Sequence, residues 1–216
     1  MNKLLFLIDK EIRTVINEQF NIGNMNLNDN KPKRNVNIFN KAFTNPYYQN
    51  ILDGTATEDE IKMLNSLVSV TKPENIVELK KIIEFYSNNC PDDSLNWIDV
   101  SGITDMSHLF EDTDYDGDIS KWDTSNVTDM NNMFCNAEKF NHPIGEWNVG
   151  NVTDMHHMFY NAYNFNQDIG KWDVSHVTDM HFMFSSALLF NKPIGGWDVS
   201  MVTDMNHMFE YAKNFN

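Results

Sequence analysis

The chain has 216 residues, a formal net charge of −15 and a hydrophobic fraction of 41%, enough for a sizeable core in one or two domains. No apolar run approaches the roughly 18 residues that a membrane-spanning helix needs. The acid excess is uneven: residues 1–96 carry 11 Lys and Arg against 13 Asp and Glu, whereas residues 97–216 carry 5 Lys against 18 acids. A field of that sign repels phosphate backbones and disfavours nucleic-acid binding through the second half.

In chain order, the opening MNKLLFLIDKEIR has five consecutive apolar residues before Asp9, too few for the hydrophobic region of a signal peptide, so the default compartment is intracellular. Leu4, Leu5, Ile8, Ile12, Val15 and Ile16 have helical spacing. Residues 21–50 are polar and Asn-rich, with Pro32 and Pro46, and read as loop. Thr57 with Glu60 forms a capping box opening a helix through Val68, and Thr71 with Glu74 opens another, with Pro73 in its first turn, running to about Tyr86. The stripe Ile76, Leu79, Ile83 and Tyr86 gives that last helix one face to bury. Residues 1–95 are thus expected to form a helical N-terminal region that caps the second half of the chain. Cys90 and Cys135 match no metal or redox spacing and read as two unpaired thiols.

From residue 96 the chain repeats itself. Trp97, Trp122, Trp147, Trp172 and Trp197 recur at a step of 25 residues, and residues 119–140, 144–165, 169–190 and 194–215 align without gaps. A period of that length is the signature of a solenoid in which each unit is one turn. The first unit is irregular, with Thr104 and Thr128 only 24 residues apart, and Ile98 rather than Trp97 falls in the Trp122 column. Within a unit, Ile144, Trp147 and Val149 suit a short strand. Met155, Met158, Phe159 and Ala162, at spacings of three and four, suit about two turns of helix or 3₁₀, with Thr153 as its N-cap and Asp154 in its first turn. Met106, Met130, Met155, Met180 and Met205 occupy one repeat column and are read as core, not as a methionine-lined groove. The last unit stops at Phe215 and Asn216, which exposes a core surface for a longer chain to cover, for a partner to pair with end to end, or to fray.

The segments WDTSNVTDMNNMF, WNVGNVTDMHHMF, WDVSHVTDMHFMF and WDVSMVTDMNHMF resemble the BspA-like leucine-rich repeats of bacterial surface proteins and of mycoplasma proteins of unknown function. The resemblance covers residues 96–216. It implies an α/β leucine-rich-repeat solenoid of about five turns, each a short strand plus a short helix, with a role in adhesion or protein binding at the cell surface and no catalytic residues or cofactor.

Three constellations carry candidate chemistry. Asp112, Asp114, Asp116, Gly117, Asp118 and Asp123 follow the spacing of a calcium-binding EF-hand loop. The repeat alignment competes with that reading, because Asp118 and Asp123 fall on Asp168 and Asp173 where a strand, not a helix, is due. The Asp105, Asp129, Asp154, Asp179 and Asp204 ladder, beside its threonine ladder, is read as helix capping rather than a metal stripe. His156 with His181, and His108, His157 and His207, form neighbouring columns that could bring a metal to His156 and His181 but read as solvent-facing filler. The partner surface is expected beside the tryptophan column, at Lys121, Asp123, Glu146, Asn148, Lys171, Asp173 and Asp198, which point away from the core. No phosphate-binding glycine loop, His-Glu-x-x-His or nucleophile elbow is present. The sequence therefore reads as a non-catalytic protein-interaction or adhesion module, the alternative being a calcium- or metal-binding structural protein centred on residues 112–123.

Overall fold

The computed structural model describes residues 72–89 and 91–216, which belong to one compact unit beginning at Thr71. The helices expected over Leu4 to Ile16 and Thr57 to Val68, the loop over residues 21–50, and Thr71 and Cys90 lie outside the described residues.

Among the described residues, one α-helix, α1 (Ile76–Asn89), precedes the repeats. It starts later than the Thr71/Glu74 box implies. Asn75 Oδ1 accepts the amide of Glu78 at 3.1 Å, and Glu78 Oε2 in turn accepts the amide of Glu74 at 2.9 Å, so Asn75 caps the helix. Leu79, Ile82, Ile83, Phe85 and Tyr86 are buried while Val77 is exposed, giving the one-sided burial that the stripe implies. Pro91 comes soon after, and the residue before a proline is disfavoured in the α region, which helps end the helix. Trp97 sits against α1, its ring 6.1 Å from that of Tyr86, while Ile98 is buried in the tryptophan column.

Successive 25-residue turns then lie one on another, and every column of the core is a stack of like side chains. Met106, Met130, Met155 and Met180 are fully buried, as are Phe134, Phe159 and Phe184 and the closing Phe140, Phe165 and Phe190. Phe134 and Phe159 stack at 5.5 Å, as do Phe159 and Phe184. The indole N–H groups of Trp122, Trp147, Trp172 and Trp197 each reach a carbonyl one turn back, Trp147 to Ile119 at 3.2 Å and Trp172 to Ile144 at 3.1 Å, so these donors are satisfied. Where threonine replaces valine in a core column, Thr124 Oγ1 donates to the Asn148 carbonyl at 2.9 Å.

The local elements differ from the expected strand and helix. Among the described repeat residues the only parallel pairing is one bridge per interface: Asp105 to Asp129, and on through Asp154 and Asp179 to Asp204. It lies at the Thr-Asp-Met segment, not at the tryptophan. Each Thr N–H donates to the previous threonine carbonyl, and the hydroxyl donates to the same oxygen, as for Thr178 onto Thr153 at 2.8 and 3.0 Å.

The helix-like spacing after the bridge belongs to a train of turns. Met133 N–H donates to Met130, Cys135 to Asn132 and Ala137 to Phe134, three residues back each time. The alternate amides of Asn132, Phe134 and Asn136 donate instead to His156, Met158 and Tyr160 of the next turn. A helix bonds its amides to itself and leaves none for a neighbour. Two residues in each turn, such as Asn132 with Asn136 and His157 with Asn161, hold a left-handed φ between 53 and 59° across the five turns. That conformation costs a non-glycine residue about 1–2 kcal/mol, and the inter-turn hydrogen bonds offset it. Asp154 accordingly caps no helix: its Oδ1 accepts the amide of His156 at 3.0 Å, an Asx turn repeated at Asp105, Asp129, Asp179 and Asp204.

The one-residue deletion in the first unit is absorbed between Phe110 and Tyr115. Tyr115 takes the closing-phenylalanine place, stacked on Phe110 at 5.1 Å, with its hydroxyl donating to the Asp93 carbonyl at 2.8 Å. Burial and the nearby carboxylates of Asp118 and Asp93 push its phenol up.

Candidate functional site

The columns expected to face a partner are exposed: Lys121, Asp123, Glu146, Asn148, Lys171, Asp173 and Asp198 all lie on the surface. Their backbone is set by a second series of Asx turns, Asp123 onto Ser125, Asn148 onto Gly150, Asp173 onto Ser175 and Asp198 onto Ser200. The serine hydrogen bonds hold Asp123, Asp173 and Asp198 below the usual carboxylate range. One surface ion pair, Lys171 to Glu146 at 3.4 Å, spans two turns.

Asp99 heads the same column and is pulled down to about 2, first by the Ser101 hydroxyl and then by Lys72 at 2.9 Å. A depressed carboxylate contributes stability that is complete above its unfolded value, near 4, and is lost as pH falls toward 2. The melting temperature is therefore expected to fall between about pH 4 and pH 2, and to fall less in Asp99→Asn, which keeps the turn acceptor but not the charge. A circular-dichroism melt series measures both, and an equal fall in the variant sets Asp99 aside as a source.

The acidic loop does not converge on one point. Asp112 accepts the Asn136 amide group at 2.7 Å, Asp114 pairs with Lys139 at 2.9 Å and Asp116 accepts the backbone N–H of Asn141 at 3.0 Å. Asp118 accepts Ser120 N–H and Asp123 accepts Ser125 N–H. Each carboxylate is directed to a different partner, three of them in the following turn, because the loop is a corner of the stack and no helix comes after it. That geometry lends the calcium reading no support.

The histidine columns hold more than filler. His156 and His181 stack at 4.8 Å with planes 6° apart. The His157 ring stands edge-on to His181 at 4.8 Å and lies flat on Phe182 at 5.0 Å, and Phe182 lies flat on His207 at 4.7 Å. With Tyr160, 5.3 Å from His157, these rings make a part-exposed aromatic patch that column-by-column reading of the sequence misses. The left-handed φ at His157, Phe182 and His207 turns their side chains out of the core, and nothing in the residue types announces it.

The carboxylates of the Asx turns organise this patch. His156 Nδ1 lies 2.7 Å from Asp154 Oδ1, and His181 Nδ1 2.7 Å from Asp179 Oδ1. A carboxylate only accepts, so both Nδ1 atoms carry a proton, and the lone pair of the neutral ring is then on Nε2. Asn131 plays the same part in the turn before, its Nδ2 donating to Asp129 at 2.6 Å. Burial, then the neighbouring His181 and His156, hold His157 below the usual histidine range. Among the described residues, the group of at least three His, Cys, Asp or Glu with mutually close ligand atoms is His156, Asp179 and His181, within 4.8 Å of one another. Cys135 is buried and free, its thiol pushed up to about 12, first by burial and then by Glu111 and Asp112.

No helix among the described residues is long and apolar enough to cross a membrane. No curated protein and no solved structure matches the chain. A family model described as "Mycoplasma protein of unknown function, DUF285" matches residues 77–185 and again 147–216, taking in α1 and every repeat, and the chain belongs to that family.

Proposed function

We propose that the chain is a non-catalytic protein-interaction or adhesion module, built as a leucine-rich-repeat solenoid of the BspA-like kind, that takes a basic protein surface along its acidic columns. The observation that carries this reading is the outward series Asp123, Glu146, Asp173 and Asp198, exposed in four successive turns of a region with 18 acids and 5 lysines. Asp123, Asp173 and Asp198 share one repeat column and are held below the usual carboxylate range by their serines, and fixed negative charges of that kind favour a cationic partner and speed its approach. The recurring Trp and Thr-Asp-Met segments and the match to a mycoplasma repeat family support the solenoid.

The test neutralises the columns without breaking their turns, since Asn148 shows that an amide serves there. The set Asp123→Asn, Glu146→Gln, Asp173→Asn and Asp198→Asn is expected to weaken binding of a lysine-rich peptide by about tenfold, near 1.4 kcal/mol, with melting unchanged. A control set with the same net charge, Glu111→Gln, Asp114→Asn, Glu138→Gln and Glu210→Gln, is expected to weaken it much less. Equal loss in both sets rejects the columns as the binding face.

A second reading, end-to-end association, rests on the last turn. The amides of Met205, His207, Phe209 and Tyr211 occupy places that bond forward in every earlier turn but have no acceptor among the described residues. Val199 is 38% exposed where Val174 is 1%, and a shallow groove lies over Pro193, Ile194, Phe209 and Phe215.

A further inference from the structure

We propose that His156 and His181, with Asp179, form a binding site for a borderline divalent transition-metal ion such as Zn²⁺, clamping two adjacent turns of the stack. Ligand atoms from the three side chains already lie within 4.8 Å of one another. Zinc–nitrogen and zinc–oxygen bonds of about 2.0–2.2 Å place tetrahedral ligands roughly 3.4 Å apart, so binding draws these atoms inward and turns the two part-exposed rings, stacked with planes 6° apart in the free protein, until their in-plane lone pairs meet at one ion.

Three features go beyond proximity. Asp179, itself in the group, sits on His181 Nδ1 at 2.7 Å, while His156 has its Nδ1 held by a carboxylate outside the group, Asp154, at 2.7 Å. That is the outer-shell arrangement which fixes the tautomer of a metal-binding histidine and raises its basicity. His156 Nε2 lies 3.2 Å from the Asn132 amide group of the preceding turn, a contact that a part-exposed side chain exchanges readily. The adjoining His157 has a buried Nδ1 with no hydrogen-bond partner, and a buried polar atom without a protein partner is a place for a water or an ion. Imidazole and carboxylate without thiolate suit zinc, nickel or copper(II), and not calcium, which takes oxygen ligands throughout.

The repeat supplies its own control, because Asn131 and Asn206 stand in this column and Asn131 closes the Asx turn as the histidines do. Titration of the full chain with Zn²⁺ is expected to show one ion bound per chain and a rise in melting temperature, as for any ligand that binds the folded state. His156→Asn with His181→Asn is expected to lose both the ion and the rise, with melting unchanged in metal-free buffer. Independently of any variant, substoichiometric Zn²⁺ is expected to shift the ring-proton resonances of His156 and His181 before those of His108, His142, His176 and His207. Equal zinc affinity in parent and double variant, or shifts spread evenly over the histidines, overturns the site.

Discussion

Replacing Phe159 by alanine is expected to destabilise the stack by about 3–5 kcal/mol, the range for removing a fully buried phenylalanine. The ring is fully buried and touches both neighbouring turns: Phe134 and Phe184 at 5.5 Å, Phe165 at 4.0 Å and Trp172 at 6.4 Å. Its column bears on three turns at once, and the collapse that limits a cavity elsewhere is blocked by inter-turn hydrogen bonds on both sides. Phe209, the same column in the last turn, is only part-buried and stacks on Phe184 and Phe215 alone. Phe209→Ala should cost clearly less, because part of its surface already meets water. Chemical denaturation of the two variants measures the difference, and equal losses would mean that the columns do not act through neighbouring turns.

The second large effect is expected from a single methyl group. A Cβ at Gly170 overlaps the Pro193 carbonyl of the next turn, as one at Gly145 overlaps that of Asp168. Neither glycine has a left-handed φ, so the penalty is steric and falls on backbone, which cannot swing aside as a side chain does. Gly170→Ala is expected to cost about 1–3 kcal/mol, as overpacking does. Gly195, the same place in the last turn, has nothing within 4 Å, and Gly195→Ala is expected to leave stability unchanged within about 0.5 kcal/mol. Thermal melts of the pair decide the matter. A neutral Gly170→Ala would show that adjacent turns separate at little cost.

Period and core were legible because both depend only on which side chains recur. Trp147, Met155, Phe159 and Phe165 are buried where the 25-residue step places them. The elements between them were not legible. Apolar residues at three and four apart, such as Met155, Met158, Phe159 and Ala162, fit one face of a helix, and they fit equally a train of turns in which alternate amides leave for the next layer. What separates the two is the left-handed pair in each turn. Asn132, Asn136 and Asn161 give a sequence signal for it, since asparagine tolerates that region, but Phe182 and Tyr211 hold the same angle and give none.

The candidate site divides the same way. Exposure of Asp123, Glu146 and Asp173 comes from their place beside the buried tryptophan. The ring patch depends on His157 and Phe182 turning outward, and the closeness of His156, Asp179 and His181 depends on an Asx turn that the sequence disguised as a helix cap. The acidic loop shows the reverse relation. Its spacing was right for calcium, but Asn136, Lys139 and Asn141 of the following turn take up three of its carboxylates.

Within the regular units the main-chain hydrogen bonds that join the turns run to residues 24 ahead and 25 or 26 behind, which makes the layers interchangeable at their boundaries. Removing or duplicating one whole 25-residue unit inside residues 119–190 would present each remaining layer with the same main-chain donors and acceptors and the same Trp, Met and Phe core columns it meets now. A gene that encodes such near-identical units can lose or gain them by slippage without a folding penalty at the new junction, whereas a loss of one residue is borne only where Tyr115 shows it can be, at a corner. Length in this protein is therefore a variable that inheritance can adjust in steps of a single layer.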